Sequence, residues 1–198
     1  MPRPTRWATE TAPGHSRWLI DHFAGLRESG ADLAGEARFV DALIAPGSVV
    51  LDAGCGTGRV GAALAARGHP VVGVDADPEL LAEARASFPG PRWLLGDLTE
   101  LDAVLGDDER FDAAVLAGNI MPFLAPDTET EVLRQVLGRL KPDAPAAIGF
   151  EPALGYSLAD FDRHLAEVGA TAEQRFATWD LRPWSAGSPF AVTVVRRA

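Results

Sequence analysis

The sequence predicts a single α/β domain built on a mostly parallel sheet with helices on both faces. Three observations carry that expectation. The stretch Val49-Val50-Leu51-Asp52-Ala53-Gly54-Cys55-Gly56-Thr57-Gly58-Arg59 reads as a buried strand, a turn on alternate glycines and the start of a helix. Further short apolar runs alternate with segments of helical period, the pattern of βαβ units. Three of the runs end in an acid, Asp52, Asp75 and Asp97, at the carboxyl edge where an open α/β sheet holds its ligand.

Composition narrows the function classes. A chain of 198 residues is long enough to bury one core without staples. Its single cysteine, Cys55, excludes an internal disulfide. No apolar run approaches the ~20 residues of a membrane helix and the amino terminus lacks a signal-peptide core, so a cytoplasmic protein with no membrane partner is expected. Twenty-eight acidic residues against 18 basic ones leave a formal net charge of −10. That balance opposes a broad phosphate-binding surface, so nucleic acid is not the expected substrate. No metal site is expected.

In chain order, residues 1–14 carry Pro2, Pro4 and Pro13 with Arg3 and Arg6 and no apolar period, which reads as a mobile tail. Trp18, Leu19, His22, Phe23 and Leu26 then recur at helical spacing over 15–26, and Leu33, Ala37, Val40 and Ile44 mark a second helix that ends before Pro46-Gly47. After the glycine turn, Val60, Ala63, Leu64 and Ala66 form a helix stopped at Arg67-Gly68. The second strand is 70–75. Asp77-Pro78 opens the next helix as an N-cap followed by proline at the first helical position. The third strand is 92–98, and Asp97 also reads as a cap for a helix over 99–105.

Residues 111–117 form a fourth strand, followed by Gly118-Asn119-Ile120-Met121-Pro122-Phe123. Thr128 and Glu131 have capping-box spacing ahead of a helix with Val132, Leu133, Val136, Leu137 and Leu140 inward. A fifth strand covers 146–150, and Ser157 caps a helix closed by Gly169. Two final strands, 176–181 and 190–195, are joined by a connection too short for a crossover helix, so they pair antiparallel.

The glycine turn discriminates between ligands. Gly54, Gly56 and Gly58 let the backbone turn sharply and approach a ligand without a Cβ in the way. A dinucleotide fingerprint that starts directly after the strand requires a third glycine where Arg59 stands. Starting instead at Gly56, with Gly58 and Gly61, delays the turn by two residues. An NAD-dependent oxidoreductase is therefore the weaker alternative. Asp75 lies about 20 residues beyond the turn, the separation that places a carboxylate on ribose hydroxyls.

The string Leu51-Asp52-Ala53-Gly54-Cys55-Gly56-Thr57-Gly58 resembles the first motif of class I S-adenosylmethionine-dependent methyltransferases of the small-molecule type. The resemblance runs over about residues 33–198, with specific motifs at 49–59, 71–77 and 93–98. It implies a Rossmann-like, doubly wound, seven-stranded sheet ending in an antiparallel hairpin. It implies S-adenosyl-L-methionine as cofactor and in-line methyl transfer to a small-molecule acceptor. A binding subunit without catalysis stays open as a second alternative.

In that family the acid and glycine turn hold the methionine half of the cofactor, which implicates Asp52, Gly54, Cys55, Gly56 and Gly58. Cys55 is read as present for its small size. The resemblance carries the ribose to Asp75, the adenine face to Ala76, and the adenine amino group and ring nitrogen to Asp97 and Leu98. Asn119 is a candidate for cofactor or substrate contact, its alternative being an amide that caps a turn. An amino-terminal helical lid over 15–45 is also implied. Within it Arg38 is the candidate for the methionine carboxylate, which a guanidinium grips with two parallel hydrogen bonds, or else part of a solvated helix face. No catalytic base is assigned: Glu151, Tyr156, His22, His164, Trp179 and Trp184 could reach the crevice, and the two histidines read equally as ordinary helix-face residues.

Overall fold

Strand β1 (Val50–Ala53) lies in the middle of the sheet, and all four of its residues are buried. Its alternate side chains enter different cores: Leu51 and Ala53 pack on one face, Val50 on the other. That is why a strand covered on both sides reads as a continuous apolar run. The computed structural model describes residues 3–197. Strands β2 (Val71–Asp75), β3 (Arg92–Leu95), β4 (Ala113–Leu116), β5 (Ala146–Phe150), β6 (Ala170–Phe176) and β7 (Ala191–Arg197) complete a seven-stranded sheet in the order β3-β2-β1-β4-β5-β7-β6. Strands β1 to β5 pair in parallel and β7 runs antiparallel to both β5 and β6. The strand order reverses between β1 and β4, the switch point at which an open sheet leaves a crevice at its carboxyl edge.

Helices α3 (Gly35–Asp41) and α4 (Arg59–Ala65) cover one face, burying Phe39, Val40, Val60 and Leu64 against Val50, Val115 and Val192. Helices α8 (Glu129–Gly138) and α9 (Leu158–Glu167) bury Val132, Leu133 and Phe161 in the core of the other face. Helix α5 (Pro78–Ser87) closes the β2–β3 side, where Leu81 and Ala84 meet Cys55 and Trp93, and the short α6 (Leu101–Val104) follows β3. Asp77 caps α5 with hydrogen bonds from the Glu79 and Leu80 amides, and Ser157 caps α9 through the Asp160 amide. The expected capping box at α8 does not form: the Thr128 hydroxyl donates to the Ala125 carbonyl, and Glu131 pairs with Arg134 instead.

Two expected elements are corrected. Of the strand expected over 176–181 only Phe176 is in a strand, as the last residue of β6, which begins six residues earlier in the chain; residues 177–181 form a loop. This edge strand leaves Thr171 to Gln174 exposed, so it lacks the apolar alternation by which strands are recognised. The amino-terminal segment is not a featureless tail. Arg6–Glu10 forms helix α1, capped by Thr5, and it precedes α2 (His15–Glu28) across a turn at Gly14. Trp7 packs edge-on against Phe123 of α7 (Ile120–Phe123), with ring centroids 5.7 Å apart, and Arg6 donates to the Pro122 carbonyl at 3.2 Å. Residues 1 and 2 of the expected tail lie outside the described residues.

One indole accounts for three of the glycines. The Trp93 ring fills the space that a Cβ on Gly58, Gly61 or Gly73 would need, at 2.9, 2.9 and 2.3 Å respectively. The ring is fixed by a 2.7 Å hydrogen bond from Nε1 to the Phe88 carbonyl. Replacing Gly73 by alanine forces that ring or the strand to move, and overpacking of this kind costs about 1–3 kcal/mol. The urea midpoint of Gly73→Ala is expected to fall accordingly, with the slope of the transition unchanged; an unaltered midpoint contradicts the packing described.

Candidate functional site

A cleft of about 640 Å³ opens at the carboxyl edge of β1, β2 and β4. Its floor is the turn after β1. Gly54, Gly56 and Gly58 all have positive φ, at 80°, 51° and 77°, a region that side chains with a Cβ rarely enter. A Cβ on Gly54 would meet the Ile120 side chain at 2.4 Å, whereas at Gly56 nothing but Leu80 lies within 4 Å, at 3.9 Å. Gly56 therefore has room above its backbone for a ligand, and Gly54 brings α7 down onto the turn.

The turn is held by the acid of the neighbouring strand. Asp75 accepts from the Gly56 amide at 2.7 Å through Oδ2 and from the Asp77 amide at 2.8 Å through Oδ1. Each carboxylate oxygen can accept two hydrogen bonds, so these two amide bonds leave acceptor capacity on the carboxylate. Burial pushes the Asp75 pKa up, against the pull of those amides. Asp52 is more deeply enclosed. Its Oδ2 accepts from the Gly61 amide at 2.9 Å, and burial raises its pKa from 3.8 to about 7. Burial also pushes the Cys55 thiol well above its ordinary range, as expected of a small apolar residue packed on Leu81 and Trp93 and not of a nucleophile.

Asp52, Gly54, Cys55, Gly56, Asp75, Ala76, Asp97, Leu98 and Asn119 all line the cleft. Asp97 caps the short 3₁₀ turn Leu98–Glu100, its Oδ1 accepting from the Thr99 amide and hydroxyl at 2.8 and 2.6 Å, while Oδ2 has no partner among the described residues. Asn119 sits at φ 66° and its Oδ1 accepts from the Glu151 amide at 2.8 Å, which commits that oxygen to joining the β4 and β5 ends.

Two candidates lie elsewhere. Gly58 is packed under the turn against Trp93 and Ala84. Arg38 points away from the cleft: its exposed guanidinium makes a bidentate pair with Asp32, at 2.8 and 2.5 Å. On the seven-residue α3, Phe39 and Val40 claim the buried positions and leave Arg38 outward. The arginine that does line the cleft is Arg59, which grips Glu36 with both terminal nitrogens, donates to the Leu33 carbonyl at 2.9 Å and lies 4.9 Å from the Phe23 ring centroid. None of Glu151, Tyr156, His22, His164, Trp179 and Trp184 lines the cleft. Tyr156 and His164 bond each other at 2.8 Å, and Trp179 packs on Gly149.

The roof of the cleft comes from α1 and α2. The Trp7 indole Nε1 and the Ser16 hydroxyl both donate to Asp77 Oδ2, at 2.9 and 2.5 Å. Partial burial pushes the Asp77 pKa up, but these two bonds and the capped amides of α5 outweigh it and hold the carboxyl below its ordinary value. His15, Leu19 and Phe23 of α2 line the roof beside Trp7.

These features fit a nucleoside-bearing cation: a carboxylate with free acceptor sites at the end of β2, an unpartnered carboxylate oxygen at the end of β3, and an open backbone turn between them. Comparison with known proteins agrees. A family described as a methyltransferase domain matches residues 50–143. The crystal structure of a TehB-like SAM-dependent methyltransferase from Corynebacterium glutamicum superposes with a TM-score of 0.86 at 40% identity, covering 94% of this chain and 100% of that one. The chain belongs to the class I S-adenosylmethionine-dependent methyltransferases. Among curated proteins, it is 27% identical to a putative methyltransferase, YqeM, of Bacillus subtilis over 54% of this chain and 43% of that protein. It is 29% identical to the trans-aconitate 2-methyltransferase of Methylobacterium nodulans over 66% of this chain and 60% of that protein. The chain thus spans about half the length of these curated relatives.

The raised pKa of Asp52 has a measurable consequence. Its folded value exceeds the ~3.9 of an unfolded aspartate, so folding favours the protonated form. The stability this contributes is complete below about pH 4 and is lost as pH rises through about 7. Asp52→Asn keeps an acceptor for the Gly61 amide and removes the titration. The fall in unfolding free energy between about pH 4 and about pH 8 is expected to shrink in this variant, and not to vanish, because Asp75 shifts in the same direction. Urea titrations at the two pH values test this, and an unchanged slope excludes the assignment.

Proposed function

We propose that the chain transfers the methyl group of S-adenosylmethionine to a small-molecule acceptor, in the cytoplasm, with α1 and α2 as the lid of the cleft. The observation that carries this reading is the Asp75 carboxylate, fixed by two backbone amides at the end of β2 and facing the cleft with acceptor capacity remaining. The cofactor supplies an electrophilic methyl carbon: the acceptor's lone pair forms the new bond as the carbon–sulfur pair returns to sulfur, leaving S-adenosylhomocysteine. Asp75 would take both ribose hydroxyls, the free oxygen of Asp97 the adenine amino group, and the Ala76 and Leu98 segment the faces and edge of the ring. Asp52 stands behind the turn as a buried acid facing the methionine end.

The protein's contribution to rate is chiefly alignment. Holding nucleophile and methyl carbon in line is worth on the order of 7–11 kcal/mol, and a roof closed by Trp7 and Ser16 excludes water that would compete. The acidic composition and, among the described residues, the absence of unpaired arginines in the cleft support a small molecule over nucleic acid.

Calorimetric titration with S-adenosylmethionine, S-adenosylhomocysteine and NAD tests the proposal. Both adenosyl ligands are expected to bind and NAD is not. In Asp75→Ala, loss of two charge-assisted bonds at about 1.5–3 kcal/mol each is expected to weaken S-adenosylhomocysteine at least about 100-fold. Binding of NAD alone, or an Asp75→Ala variant of unchanged affinity, refutes the reading.

A further inference from the structure

One side of the cleft is walled by apolar and aromatic residues. Trp7, His15, Leu19, Phe23, Ile120 and Phe123 line it, bringing together α1, α2 and α7. The rings form a contiguous set: Trp7 lies edge-on to both His15, at 4.8 Å between centroids, and Phe123, at 5.7 Å. Aromatic walls of this kind take planar molecules by stacking and edge contacts, and cations by their π-faces.

The charges point the same way. Of the described residues lining the cleft, Asp52, Asp75, Asp77, Glu79 and Asp97 are acidic and Arg59 is the one arginine or lysine. That guanidinium is already spent on Glu36 and the Leu33 carbonyl. The arginines just outside are engaged too: Arg6 with Glu129 and the Pro122 carbonyl, Arg3 with Asp127 and the Pro126 carbonyl. Among the described residues that line the cleft, no guanidinium or ammonium is left over to grip a carboxylate or phosphate on an acceptor. A carboxylate-bearing molecule would instead enter past the more exposed carboxylates of Asp77, Glu79 and Asp97, whose field repels it.

We infer that the acceptor is a planar molecule that is uncharged or cationic at the acceptor end, such as an aromatic amine or a neutral heterocycle, and not a carboxylic acid. This rests on the methyltransferase reading, and it separates the chain from its trans-aconitate relative, whose named substrate is a polyacid. Specificity lies in Trp7 and Phe123 for shape, and in the absence of a free cation for charge.

Three probes that share one ring and differ in charge test the inference: tryptamine, indole and indole-3-acetate, each titrated calorimetrically into the protein with and without saturating S-adenosylhomocysteine. Tryptamine and indole are expected to bind at least about tenfold more tightly than indole-3-acetate, a difference of about 1.4 kcal/mol. The gap is expected to narrow between about 20 mM and about 500 mM salt, as screening shortens the reach of the rim charges. Phe123→Lys, which supplies the missing cation, is expected to reverse the order, with S-adenosylhomocysteine binding as the check that the cleft still forms. Equal or tighter binding of indole-3-acetate by the unaltered protein, or binding of none of the three, overturns the inference. If S-adenosylhomocysteine itself fails to bind, the methyltransferase reading falls, while the probe order in the protein alone still judges the charge argument.

Discussion

Asp75 joins three parts of the molecule through one carboxylate. One oxygen holds the Gly56 amide of the β1 turn; the other holds the Asp77 amide at the start of α5. Asp77 in turn holds Trp7 of α1 and Ser16 of α2. The floor and the roof of the cleft are thus separated by one dipeptide step, Asp75 to Asp77. The chain of bonds is short, and each link is partly or wholly removed from water, where a hydrogen bond to a charged group contributes about 1.5–3 kcal/mol. Anything that perturbs Asp75 is felt at the roof, because both oxygens of Asp77 are committed and cannot re-pair without releasing the α5 cap.

The parallel sheet makes this geometry possible. Register between β1 and β2 sets Ala53 opposite Val74, so the two strands end within a residue of each other and their terminal loops must share the same edge. The Trp93 indole then presses α4, α5 and β2 together at three glycines. Packing at this density leaves the turn little freedom to relax, which is what a binding loop requires if ligand affinity is not to be spent on ordering it.

Legibility in the sequence followed the range of the interactions. The β1 turn, the acids ending β2 and β3, and the caps at Asp77 and Ser157 were readable because each depends on a few adjacent residues. The Trp7 contact spans 70 positions to Asp77, and a single aromatic among prolines has no period to announce it. Strand β6 was misplaced because an exposed edge strand carrying Glu173 and Arg175 need not alternate. The choice between Arg38 and Arg59 depends on which way a helix of seven residues is rolled, and that is set by Phe39 packing against Phe176 and Trp179, partners more than 130 residues away. The seven-stranded order, by contrast, came from family resemblance rather than from any local pattern.

The buried acids also explain how such a site can prefer a cation without an ion pair in place. Asp52 and Asp75 are both raised by desolvation, which means that their charged forms are under-compensated by the protein alone. A cationic ligand restores what burial removed, so part of its binding free energy is the relief of that penalty. A neutral analogue of equal shape forgoes this electrostatic part. Arg59, held by Glu36 and the Leu33 carbonyl, offsets part of that penalty at Asp52, whose charged form it favours, so burial and not a missing neighbour dominates the shift.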